Sequence, residues 1–240
     1  MNDLIKWLII THLISMYFYL NKNTPKLVWF KLHCMSNIIA MNFSAQDLFS
    51  YIVDPMHPIR PAYSTQPMNI IMALHIYHML GSTLIFGRFK LNMLDWIHHI
   101  VMCLILIIPY YDPEAIEQTN SVIFFISGLP GAIDYWLISM VQEGKLNSIQ
   151  EKKINTYLNV YIRSPGILYV TTIGYARFKA NMYTNTALIT TSTAVLFWNA
   201  QFFMQIVVDA YGRARNQVPR PKPVRSQSAP NLANLNDRQY

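Results

Sequence analysis

The chain has 240 residues, 52% of them hydrophobic and only 13% charged, about half the charged share usual in soluble domains. That shortage of charge excludes a disordered chain and argues against an ordinary water-soluble enzyme. Nineteen basic residues against 12 acidic ones give a formal charge of +7, but long apolar runs surround them, so no nucleic-acid role is expected.

Seven apolar segments follow one another, at 3–20, 27–50, 67–87, 92–111, 119–141, 155–175 and 185–211. Each is near the ~20 residues that a helix needs to cross a bilayer core. The expected fold is all-α: a polytopic membrane bundle of about seven transmembrane helices over residues 1–211. The first segment is read as a retained span. Its opening Met1-Asn-Asp-Leu-Ile-Lys6 has no net positive side-chain charge, and no small-x-small cleavage site follows Leu20. Turn chemistry separates the segments at Asn21–Pro25, Asp54–Pro61 and Asp112-Pro113. Cys34 and Cys103 both lie in apolar stretches, so no disulfide framework is expected.

Ionisable side chains within a span are expensive, which makes each a functional candidate. The third segment carries His75 and His78, three apart and on one helix face. The fourth opens Asp95-Trp-Ile-His-His99. Its carboxylate lies three and four residues before two imidazoles, within reach of either. The fifth contains Gly128-Leu-Pro-Gly-Ala-Ile-Asp134, where the glycines and Pro130 predict a kink or close packing. Arg163 sits in the sixth and is a partner for Asp134; Asn199 and Gln205 sit in the seventh. At 1.5 Å of rise per residue, His78, His98, Asp134, Arg163 and Gln205 all fall roughly 9–12 Å from one end of their spans. A shared polar layer is the expectation. Four histidines and two aspartates are donors of the kind a di-iron centre uses, but only HxxH and HH are present, so no metal is expected.

From Gly212 the composition turns to Arg, Pro and Ser, and residues 212–240 read as a disordered basic tail. Seven crossings place Lys22, Lys26, Lys31, Arg88, Lys90, Lys145, Lys152, Lys153 and the six basic tail residues on one side. Only Lys6, Arg60, Arg177 and Lys179 fall on the other, together with the acidic loop Asp112, Glu114, Glu117. The positive-inside rule then puts the tail in the cytosol. Within it, Arg225-Ser-Gln-Ser-Ala-Pro230 fits the phosphoserine pattern read by 14-3-3 proteins, with Ser228 modified.

Asp95-Trp-Ile-His-His-Ile-Val-Met-Cys-Leu-Ile-Leu106, then Asn120, then the run ending Ile133-Asp134, resembles the core motif of the TLC superfamily. Phe197-Trp-Asn-Ala-Gln-Phe-Phe203 is similar to the last span of that domain, and the resemblance covers about residues 30–212. It implies a lipid-directed protein of the endoplasmic reticulum. In ceramide synthases such histidines and aspartates serve acyl transfer from acyl-CoA to a sphingoid amine. By that resemblance His98 and His99 are the catalytic pair, supported by Asp134 and Asp95. No bound cofactor is implied; acyl-CoA would be a co-substrate. Gly131 stands where the first of two motif aspartates is expected, which favours a lipid-binding member over a synthase. The sequence Leu74-His-Ile-Tyr-His78 also resembles the fatty-acid elongase box HxxHH, with Met79 in place of its final histidine.

Overall fold

The structure, a computed structural model, describes residues 2–57, 62–81, 91–111, 115–183 and 185–216. Ser228 and the rest of the tail from residue 217 lie outside them, as do residues 82–87 of the third segment. The described residues form seven helices and no strand: α1 (Asn2–Leu20), α2 (Pro25–Val53), α3 (Gln66–Leu80), α4 (Met93–Tyr111), α5 (Ile116–Gln142), α6 (148–179) and α7 (Thr186–Asn216). Each corresponds to one predicted apolar segment. Two of them, α1 and α5, are long and apolar enough to cross a membrane; Met93–Ile107 forms a shorter apolar stretch.

Local chemistry sets the helix starts. Thr24 caps α2, its hydroxyl accepting from Leu27 N at 3.3 Å, and Pro25 takes the first helical position, where no N–H is needed. Asn147 caps α6 through Ile149 N at 2.8 Å. At the start of α4, Asn92 Oδ1 accepts from Asp95 N at 2.9 Å, while Asp95 Oδ2 accepts from Asn92 N at 3.1 Å. This reciprocal capping box engages the carboxylate that the sequence suggested would orient an imidazole. The last helix also runs further than expected. Gly212 to Asn216 continue α7, with Arg213 and Arg215 in its final turn, where cations suit the helix dipole.

Among the described residues, α5 and α6 each contain a complete π-helical turn, Phe124–Gly128 and Asn159–Arg163. Each ends two residues before a proline, Pro130 or Pro165. A proline cannot donate to the carbonyl four residues back, so the ladder is disrupted and the preceding turn widens. The predicted irregularity at Gly128–Gly131 is therefore a π-turn, and α6 has its counterpart.

The helix ends alternate. At the basic end, Glu143 joins Lys31 (2.8 Å) and Lys145 (2.6 Å), whose ammonium groups pull its carboxyl down to about 2. At the opposite end lies a buried polar network. Glu117 accepts from Arg177 Nη1 at 3.0 Å and pairs with His57 Nε2 at 2.8 Å. Arg177 also donates from Nε to Pro55 O at 2.8 Å and lies 4.2 Å from the Tyr51 ring centroid. Glu117 is 1% exposed and Arg177 fully buried, so both are interior groups and not the loop charges that the sequence suggested. Beside them Asn120 Nδ2 donates to Asp47 Oδ2 (2.7 Å) and to Ser64 O (2.6 Å), while Asp47 Oδ1 accepts from Tyr63 N at 3.0 Å.

Between the two ends, Met102, Ile105, Val122, Ile126, Ile167, Val170 and Leu196 form an apolar core. Among the described glycines, the tightest approach is where α6 meets the π-turn of α5: a Cβ on Gly166 would lie 2.1 Å from Phe125 Cδ1. Gly166→Ala is expected to destabilise the fold by about 1–3 kcal/mol through overpacking. A companion Phe125→Leu should recover part of the loss in thermal melts of detergent-solubilised protein.

Candidate functional site

A cavity of about 740 Å³ lies toward the basic end, walled by every helix except α1. His75 comes from α3, and Asp95, His98 and His99 from α4. Gly131, Asp134 and Tyr135 come from α5, Arg163 from the π-turn of α6, and Asn199 from α7. The wall reaches the exposed residues Thr24, Pro25, Lys26 and Leu94 at the bundle's end.

Helical periodicity places the histidines. Along α4 the apolar residues Ile97, Ile100, Val101, Leu104 and Ile107 are exposed at helical spacing, which turns His98, His99 and Met102 inward. His75 and His99 are buried, and their ring centroids are 4.9 Å apart; His98 lies 5.6 Å from His75 and 5.5 Å from His99. His75 Nδ1 is 2.7 Å from Ile71 O. Because a carbonyl only accepts, this nitrogen carries the proton and Nε2 keeps its lone pair.

Most predicted site residues meet in this cavity: His75, His98, His99, Asp95, Asp134, Arg163 and Asn199. Two do not. Gln205 is exposed, because Asn199, Ala200, Phe203 and Val207 form the wall and Gln205 lies about 200° around the helix from Phe203. His78 is 1% exposed and lies behind the wall, stacked on Trp29 (3.6 Å) and His33 (4.3 Å). Among the described residues neither of its ring nitrogens has a hydrogen-bond partner. No ion pair joins Asp134 to Arg163 among the described residues. Instead, Arg163 Nη1 donates to Asn159 Oδ1 at 2.7 Å, and Asn159 Nδ2 donates to Asn155 O at 2.9 Å. This asparagine ladder holds the guanidinium at the cavity.

Sequence reading missed the contribution of α2. Trp29, His33 and Asn37 recur at every fourth residue and present one stripe to the cavity. His33 stacks on Tyr135 at 4.2 Å, with its Nδ1 2.9 Å from Trp29 O. The periodicity was visible, but the apolar context of Leu27 to Phe30 concealed it. Asn37 bears directly on the resemblance. A Cβ at Gly131 would lie 2.7 Å from Asn37 Nδ2, so the asparagine amide fills the space that an aspartate at 131 would need.

Across protein families, curated proteins and solved structures, no match to the chain is found.

Proposed function

We propose that the chain is a polytopic membrane protein of TLC type that holds a lipid in the cavity between α2 and α7. The carrying observation is an inverted distribution of polarity around an internal cavity. On α1, Thr11 and Ser15 are buried while Ile5, Ile9, Leu13, Tyr17 and Leu20 are exposed; α4 likewise turns its apolar face outward. Such an exterior suits acyl chains, and small or polar side chains suit helix contacts within lipid. The histidine-lined cavity, with an exposed lysine at its rim, offers a headgroup hydrogen-bonding partners and cations. By the resemblance the membrane is the endoplasmic reticulum, and by the distribution of Lys and Arg the C-terminus faces the cytosol. The tail is then available to a 14-3-3 protein at Ser228.

A second reading is acyl transfer from acyl-CoA, favoured by His98, His99 and Asp134 sharing one cavity. One imidazole would take the proton from an amine or hydroxyl attacking the thioester carbonyl, and return it to the departing CoA thiolate as the C–S bond breaks. Asn37 standing in the space of a second aspartate favours binding without turnover.

The two readings separate in one experiment. Purified protein is extracted for bound lipid, then incubated with acyl-CoA and a panel of lipid acceptors. The expected result is co-purified lipid, no acylated product, and loss of most of that lipid in the cavity-filling variant Asn199→Trp. Product formation that disappears in His98→Ala and His99→Ala would establish the transferase instead. Lipid content no higher than in a detergent control, with no product, would overturn both.

A further inference from the structure

We infer that His75, His98 and His99 form a binding site for one divalent zinc ion, with its fourth coordination position open to the cavity. Each imidazole offers one ring nitrogen, and the three nitrogens lie within 4.8 Å of one another. A tetrahedral zinc with Zn–N bonds near 2.0–2.1 Å needs nitrogens about 3.3 Å apart. Closing the remaining gap requires the imidazoles of His98 and His99 to rotate toward His75, whose ring is held by Ile71 O.

Three features distinguish this cluster from histidines that merely hydrogen-bond between helices. The His75 Nδ1 proton is held by Ile71 O at 2.7 Å, which presents Nε2 as the ligand atom. A backbone carbonyl that fixes the outer nitrogen of a ligating histidine is a recurrent support for metal sites. His99 is 4% exposed, and its Nδ1 has no hydrogen-bond partner among the described residues. A buried ring nitrogen left in that state is costly, and coordination would satisfy it. Finally, three imidazoles without a thiolate form the ligand set of open zinc sites, which keep a place for water or substrate.

Neighbouring charges are compatible with a dication. Asp95 and Asp134 share the cavity wall with Arg163 and Lys26. Asp95 Oδ2 accepts from Asn92 N at 3.1 Å in the α4 cap, and Asp95 is not one of the three grouped ligand residues. Asp134 Oδ1 faces the same cavity and has no hydrogen-bond partner among the described residues.

The site stands on the three imidazoles and does not depend on which lipid the cavity holds. Its test uses the full-length chain, purified in detergent on a tag without histidines, loaded with Zn²⁺ or Co²⁺ and dialysed. Elemental analysis should find about one Zn²⁺ per chain, and Co²⁺ should give the intense visible bands of a tetrahedral site. His75→Ala and His99→Ala should each lower retained metal at least tenfold, whereas His12→Ala on α1 should leave it unchanged. If either alanine variant melts early, His75→Gln or His99→Gln replaces it. Metal below a tenth of an equivalent in the folded wild type would overturn the site, as would equal retention in wild type and folded cluster variants. Lipid content measured on the same samples tests the function proposed above separately.

Discussion

Arg177→Met is expected to be among the most damaging single substitutions in this protein. Arg177 is fully buried and joins three elements: Glu117 at 3.0 Å, the Pro55 carbonyl at 2.8 Å and the face of Tyr51. Removing the guanidinium leaves Glu117, itself 1% exposed, with His57 Nε2 as its remaining side-chain partner among the described residues. Breaking a buried pair from one side typically costs about 3–5 kcal/mol, because the remaining ion has lost both solvent and partner. A large fall in melting temperature should follow in detergent. Replacing all three groups, as Arg177→Met with Glu117→Leu and His57→Leu, should recover much of the loss, since no uncompensated charge remains. A single variant that melts like wild type would show that the network carries little stability.

The second large effect is expected from Asn120→Asp, a change of one atom type with almost no change of shape. Asn120 Nδ2 points at Asp47 Oδ2 (2.7 Å) and Ser64 O (2.6 Å), both acceptors. A carboxylate oxygen in that place turns two hydrogen bonds into two repulsive contacts, with a like charge facing the fully buried Asp47. A loss of about 3 kcal/mol or more is expected. The exchange Asp47→Asn with Asn120→Asp restores one donor between the two side chains and leaves only Ser64 O opposed. It should therefore be more stable than Asn120→Asp alone. Equal melting of the single and exchanged variants would show that the direct contact is not what Asn120 provides.

Much of the architecture was legible because helices in this chain are set by local features. The seven apolar segments became seven helices, and Thr24-Pro25 and Asn147 mark where two of them start. The candidate site was partly legible for the same reason. His75, His98, His99, Asp134, Arg163 and Asn199 stand out against apolar surroundings, and the structure brings them to one cavity. The errors arose where a side chain's role depends on its direction or its distant partners. Gln205 has a suitable depth but the wrong face of α7. Asp95 shares the cavity with both imidazoles, but its carboxylate also accepts from Asn92 N in the helix cap, which spacing to the histidines does not reveal. Glu117 and Arg177 looked like loop charges, since nothing local tells that chain segments 60 residues apart meet.

By itself the sequence determined the helical class, the number of helices and the polar residues available within them. These follow from hydrophobic runs and backbone capping, which act over one or two turns. Only the tertiary structure decided which of those polar residues share a cavity and that Asn37 takes the space beside Gly131. It likewise decided that the two π-turns set Gly128 and Arg163 where they are. The physical reason is that a helix can be rotated, or offset by a turn, at little local cost. Packing of α2 through α7 against one another removes that freedom and determines which face each helix turns inward.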